Sequence, residues 1–323
     1  MDIVTYTLAG YILSRAGWNR FCPKANALLV LAANAPGIDR ISLAGGDVLA
    51  LEYQRGVTHS VFSLPILALV PVAVVVLFSR GAIDWRKAWP VSAIGVACHL
   101  ILDWAGGYGA RLMYPLSDRW YHLDALPETD VVILGILILT AGWLSLAMLV
   151  KTEIGAASPG GRGAAIVSLA LVSFWIGGRC LLHERAVATA DAHLYAGEPP
   201  VRVAAFPHYA DPFRWRVLAE TEDSYHVLDI DIGDGELDPD RGLRLFKAEE
   251  SGEIQAATAS APVRTLADFA RYPFWRVAPS DEADNASRVE LVDLQFAVPG
   301  EDRFVATAIV DPAGEVLRSW FSY

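Results

Sequence analysis

His99-Leu-Ile-Leu-Asp103 closes the apolar run from Val91 to Trp104, and the reading of these five residues decides the fold. A helix carries residues i and i+4 on one face, so the imidazole and the carboxylate point the same way. Both lie in a segment apolar enough to enter a bilayer, where an ionisable side chain is costly without a partner and marks a functional site. A divalent cation is one such partner and an interhelical hydrogen bond is another; the pair alone does not choose between them.

Working outward, the chain of 323 residues is 54% hydrophobic with a mean hydropathy of +0.34, more apolar than an average soluble protein. The excess is uneven. Residues 1–190 carry 14 Lys/Arg against 12 Asp/Glu, and residues 191–323 carry 12 against 25. The chain therefore has an apolar half and an acidic, soluble-looking half. The acidic balance argues against nucleic acid as a partner. Cys22, Cys98 and Cys180 are far apart and form no CxxC, so neither a disulfide framework nor a thiolate metal site is indicated.

Four to six apolar helices are expected. Met1 to Gly17 has no basic leader and no cleavage site in the usual place, so a removable signal peptide is not expected. It reads as a short helix. Ala25 to Ile38 is a second, expected to break at Ala35-Pro36-Gly37 and deliver Asp39. Both are short against the roughly 20 residues of a full crossing. Ser60 to Ser79 and Val131 to Val150 are uncharged 20-residue runs, each read as a transmembrane helix. Ala164 to Leu182 is the last apolar segment. The links 15–24, 80–87 and 151–162 hold most of the short-loop Lys/Arg, including Arg80 and Lys151. If all three face the cytoplasm, then Asp39, His59, the His99/Asp103 helix end and the acidic C-terminal part all fall at the outer face.

From about Val201 short alternating runs appear, among them Arg214 to Ala219, Ser224 to Ile230, Arg288 to Phe296 and Arg303 to Val310. Period-two alternation between Gly, Pro and Asp clusters indicates antiparallel strands, with one short helix over Thr265 to Arg271. The expected organisation is a helical membrane domain over 1–185, a linker over 186–200 and a small soluble acidic β-rich (α+β) domain over 201–323.

Asp39, His59, His99 and Asp103 together form a candidate metal site. Two neutral imidazoles and two carboxylates around a divalent ion sum to zero charge, which a low-dielectric site favours. Nitrogen and oxygen ligands without sulfur suit zinc, and also manganese or iron. Arg55 is either a clamp for an anionic group such as a phosphate or a headgroup contact. Thr58 reads as the N-cap of a helix beginning near His59. Asp124 and Asp130, on the loop after the central helix, are solvated by default or serve as acceptors for the ligating histidines or as a general base. Trp104, Trp120 and Tyr121 suit an aromatic belt at the membrane interface.

Met1-Asp-x-x-Thr-Tyr6, Pro36-Gly-Ile-Asp39, Arg55-Gly-Val-Thr-His-Ser60, His99-Leu-Ile-Leu-Asp103-x-x-x-x-Tyr-Gly109 and Leu123-Asp124-x-x-x-x-x-Asp130 resemble the inner-membrane, metal-dependent hydrolase family described as LexA-regulated or LexA-binding. The resemblance covers roughly residues 1–185, and the C-terminal portion looks like the appended domain of some members. That family is in turn similar to the zinc-dependent phospholipase C and single-strand nuclease superfamily, which implies a phospholipase C-like helical core. The resemblance implies that Asp39, His59, His99 and Asp103 form the principal metal site. Two positions depart from the pattern. The family usually has His where this chain has Tyr6, and its Pro-Asp-x-Asp is here Pro36-Gly37-Ile38-Asp39. A neutral phenol is a poor ligand beside imidazole, so one ion is expected rather than two.

These readings lead to a hydrolase of the bacterial inner membrane, with its site and C-terminal domain on the periplasmic face. A metal-activated water would attack an ester, a phosphoester of a lipid-like or envelope substrate, with Asp124 or Asp130 as base and Arg55 binding the anion. Tyr6 and Gly37 leave room for impaired activity. The rival is a non-catalytic membrane protein with a structural or vestigial metal site and a partner-binding C-terminal domain. A transporter is disfavoured because no inverted repeat with paired broken helices is visible.

Overall fold

Among the described residues, eleven α-helices and eight strands follow from where the apolar runs are interrupted. The computed structural model describes residues 1–79, 83–154, 161–233, 237–282, 284–301 and 303–322. Arg80 and residues 155–160, both within the basic links, lie outside the described residues.

Asp2 caps α1 (Ile3–Leu13) by accepting from the backbone N–H groups of Val4 and Thr5. A loose turn at Ser14–Trp18 and the single turn α2 (Asn19–Phe21) lead to α3 (Ala25–Asn34). The α-helix ends at Asn34, at the expected break before Pro36, but the chain continues as a 3-10 helix over Ala35–Gly45. Proline at the first positions of a helix removes only a donor that would be unpaired there, so the chain continues. The segment Ala25–Gly45 is thus 21 residues long and qualifies as a membrane span, which corrects the expectation that it is too short.

The run from Ser60 to Ser79 is corrected in the opposite direction. After α4 (Asp47–Tyr53) and a 3-10 turn at Val57–His59, residues 60–63 form turns. Only α5 (Leu64–Leu67) and α6 (Leu69–Phe78) are helical. Ser63 Oγ donates to the Ser60 carbonyl at 2.8 Å, and Ser60 Oγ accepts from the Phe62 N–H at 3.1 Å. Such local bonds compete with the helix ladder. The segments Asp47–His59 and Leu64–Phe78 meet at 87°, a broken span or re-entrant loop.

α7 (Trp85–Ala105) is the centre of the helical half. Its buried residues Ala88, Ser92, Gly95, His99 and Asp103 recur at intervals of three and four, so the polar pair lies on the face that packs inward. Gly95 permits close approach to α3: a Cβ there would stand 2.6 Å from Ala32 Cβ and 3.1 Å from the Leu29 carbonyl oxygen. α8 (Val131–Ile154) and α9 (Arg162–Asp191) pack with α1 and α7 around Tyr6, Ile12, Ile133 and Leu137. Among the described residues, four helical segments are long and apolar enough to cross a membrane, or up to five if the bent pair is one span. α9 continues to Asp191, so the expected linker is helical over its first residues.

The C-terminal region is two antiparallel four-stranded sheets in sequential order. The first joins β1 (Arg202–Pro207), β2 (Arg214–Glu220), β3 (Ser224–Asp231) and β4 (Leu243–Phe246). The second joins β5 (Pro273–Pro279), β6 (Ser287–Asp293), β7 (Val305–Val310) and β8 (Val316–Ser322). Between them lie α10 (Gly252–Thr258) and α11 (Ala261–Phe269). Two helices replace the one expected, and α11 begins earlier because Pro262 opens its first turn. Trp215, Val217 and Ile230 of the first sheet pack on Ala186 and Ala190 of α9. The second sheet closes over α10 and α11, and its core takes in Leu51 and Tyr108 from the helical half. Trp120, expected at the membrane interface, lies edge-on to Tyr108 and Phe269 in that cluster.

Candidate metal centre

Two elements bring His59, His99 and Asp103 to one point. α7 supplies His99 and Asp103 one turn apart, and the 3-10 turn after α4 supplies His59. All three are buried. His59 Nε2 lies 3.2 Å from His99 Nε2 and 3.0 Å from Asp103 Oδ2, and His99 Nε2 lies 3.3 Å from the same oxygen. This is the His/His/Asp group whose ligand atoms converge as around a metal ion.

The outer nitrogens assign the tautomers. His99 Nδ1 donates to the Ala33 carbonyl at 2.6 Å. His59 Nδ1 lies 3.3 Å from Asp39 Oδ2 and 3.0 Å from Thr58 Oγ1. With each Nδ1 holding the proton, both Nε2 atoms present lone pairs inward. Two imidazole lone pairs and a carboxylate oxygen then face one another, and among the described residues Asp103 Oδ2 has no hydrogen-bond partner besides the two rings. A cation between these acceptors would relieve their repulsion. Ligand bonds of about 2.0–2.2 Å in a tetrahedral zinc site put ligand atoms about 3.3–3.6 Å apart, a little wider than the 3.0–3.3 Å seen. The residues fit a divalent ion.

Asp39, expected as a ligand, stands on the far side of His59, against Nδ1 rather than among the three converging atoms. It orients the ring, as carboxylates behind metal-bound histidines do. Its Oδ2 also accepts from the Arg55 backbone N–H at 2.7 Å. Arg55 has φ 52, a left-handed conformation uncommon outside glycine. It is held there by that bond, by Nη1 donating to the Gly109 carbonyl at 3.0 Å, and by the Tyr108 ring 4.4 Å from Cζ. Arg55 Nη2 reaches to 3.6 Å from Asp103 Oδ1. Thr58 does not cap a helix; it belongs to the turn that aims His59.

The other carboxylate oxygen is occupied by different groups. Asp103 Oδ1 accepts from the Tyr6 hydroxyl and, at 2.9 Å, from the Met1 amino group. The Tyr6 ring stacks on the His99 ring at 3.8 Å. Tyr6 thus braces both α7 ligands, a role that its reading as a departure from a family pattern did not anticipate.

Asp124 and Asp130, expected as bases, are committed elsewhere. Asp124 is paired through both oxygens with Arg271 at 2.9 and 3.0 Å, and lies 3.1 Å from His122 Nδ1. Burial by itself would raise Asp124; His122 and Arg271 outweigh it and hold the carboxyl below its usual range. Asp130 caps α8 through the N–H groups of Val132 and Ile133, and accepts from Trp175 Nε1. Neither lines the cavity of about 410 Å³ that holds the triad. The carboxylates that do are Asp2, Asp39, Asp103 and Glu128. Of these, Glu128 alone has no hydrogen bond or ion pair among the described residues. Arg40 also lines the cavity. No spacing rule in the sequence singles out Glu128 or Arg40.

Compared with known proteins, residues 1–186 match the model of a family described as YdjM inner membrane protein. Neither the curated proteins nor the solved structures contain a match.

Proposed function

The chain belongs to the YdjM inner membrane protein family, and from that premise and the site we propose that it is a membrane-bound, metal-dependent hydrolase. The observation that carries this reading is the convergence of His59 Nε2, His99 Nε2 and Asp103 Oδ2 within 3.0–3.3 Å, with both outer nitrogens already bonded. His59, His99 and Asp103 would hold one divalent ion, zinc by ligand type, with manganese or iron as the alternatives. Bound there, such an ion would supply Lewis acidity and lower the pKa of water to about 7.

The chain's own groups supply the rest. Asp39 and Ala33 hold one proton of each imidazole on Nδ1 and aim the rings. Arg55, desolvated between Tyr108 and Asp103, binds an anionic oxygen of the substrate. Glu128, at the cavity wall and without a hydrogen bond among the described residues, takes the proton of the attacking water in place of the expected Asp124 or Asp130. The substrate class is an ester, specifically a phosphoester of a lipid-like or envelope compound. With Asp103 Oδ1 filled by Tyr6 and Met1, no second ion shares that carboxylate, which supports a single-ion site. On this reading the site and the sheets face the periplasm.

The test is hydrolysis of a chromogenic phosphodiester by the detergent-purified full chain. We expect activity that is removed by a chelator, restored by zinc or manganese, and absent from His99→Ala. Stoichiometric metal without hydrolysis across phosphate and carboxylate esters would instead favour a structural ion, the reading in which Tyr6 has closed the site.

A further inference from the structure

The 3-10 segment Ala35–Gly45 is 11 residues long, whereas such helices rarely exceed three or four. With three residues per turn, side chains eclipse every third position. Ile38, Ile41 and Ala44 fall on one face, Asp39 and Ser42 on the second, and Gly37, Arg40 and Leu43 on the third. The second and third faces line the cavity that holds the triad, and Ile38, Ile41 and Ala44 do not. The periodicity therefore separates an inward polar side from an outward apolar one.

Among the described residues, the outward side is largely uncovered. Ile38 is 48% exposed and Ile41 70%, with Leu43 at the cavity edge 52% exposed. Ile3, exposed on the first turn of α1, lines the same cavity and continues the apolar rim. What covers this rim follows from continuity, because the 3-10 segment is the end of the candidate span Ala25–Gly45. A segment that spans the bilayer meets the headgroup layer at its end. His99 lies six residues before the end of α7, about 9 Å along the axis at 1.5 Å per residue, so the triad is within reach of that layer.

Arg40 sits between the two sides. It lines the cavity, is exposed, and has no hydrogen bond or ion pair among the described residues. A guanidinium fork at an apolar rim in the headgroup layer matches a phosphate bidentately. We infer that Ala35–Gly45 is a lipid-headgroup site: Arg40 takes the phosphate of an anionic lipid whose chains lie against Ile38, Ile41 and Leu43. This deepens the hydrolase reading on which it rests, because it names a membrane-resident anionic amphiphile as the substrate class, presented headgroup first.

The test uses the full chain, treated with chelator, in phosphatidylcholine vesicles containing spin-labelled phosphatidic acid, with the immobilised fraction read by electron paramagnetic resonance. Arg40→Gln should weaken retention about tenfold, the value of one charge-assisted hydrogen bond. Arg40→Lys should recover part of it, Ile41→Asn should also weaken it, and excess inorganic phosphate should not displace the label. Retention unchanged in Arg40→Gln overturns the inference, as does displacement by inorganic phosphate, which would mark a site for soluble phosphate. Because no ion or turnover is needed, the two failures separate. Lost lipid selectivity with metal binding intact strikes this inference alone, and absent metal with lipid retained strikes the hydrolase reading.

Discussion

Asp39 and Ala33 do more for the site than their distance from its centre suggests, since each fixes the proton on the outer nitrogen of one histidine. Asp39→Ala should lower affinity for zinc about 10- to 100-fold, the usual effect of losing such a partner, while His99→Ala should abolish binding; competition against a chromophoric chelator measures both. Tyr6→Phe should leave one ion per chain. Tyr6→His should raise the number to two if the hydroxyl on Asp103 Oδ1 is what limits it, and elemental analysis of the purified variant counts them. The i, i+4 pair of α7 was legible because helical periodicity alone places both groups on one face. The sequence could not tell that Asp39 meets Nδ1 of His59 rather than the ion, since ligand and orienting partner are the same residue type. Glu128 and Arg40 were invisible for another reason: only the cavity's shape distinguishes them from other loop and surface charges.

At the scale of elements, two glycines set how closely the central helices approach. Cβ atoms at Gly10 and Gly95 would meet the Leu29 carbonyl oxygen at 2.5 and 3.1 Å, so α1 and α7 both press on the backbone of α3, the small-residue packing common between membrane helices. Gly95→Ala should cost about 1–3 kcal/mol from overpacking and, one turn from His99, weaken metal binding as well; thermal unfolding in detergent and a metal titration read the two effects. The apolar helices were legible from hydropathy, and the C-terminal strands from alternation at runs such as Ser224 to Ile230. The ends of the spans were not. Pro36 continues its helix as a tighter coil, while Ser60 and Ser63 divert backbone groups of an equally apolar run into turns, and a hydropathy average is blind to both.

Across the whole molecule, the sheets are fastened to the helical half by polar ties. Arg271 pairs with Asp124, Gln295 donates to the Gly107 carbonyl at 2.6 Å, and Arg179 of α9 donates to the Ala125 and Pro212 carbonyls. Asp124 titrates below its usual value in the folded chain. Its contribution is therefore complete above the unfolded value near 4 and is lost as pH falls through the lower folded value. Hydrogen exchange across residues 106–130 should rise, after correction for intrinsic rates, as pH drops below about 4. Arg271→Gln should show raised exchange already at neutral pH, with a loss of about 3 kcal/mol for a buried pair deprived of one partner. Exchange independent of both would refute this account of the junction.

The most direct measurement is the metal content of the full chain, purified in detergent without chelators, beside His99→Ala and Asp103→Ala. The arrangement of His59, His99 and Asp103 predicts one zinc or manganese per chain in the wild type and none in either variant. A wild type without bound metal, or variants that keep it, would contradict a metal centre and leave His99 and Asp103 as an interhelical polar pair.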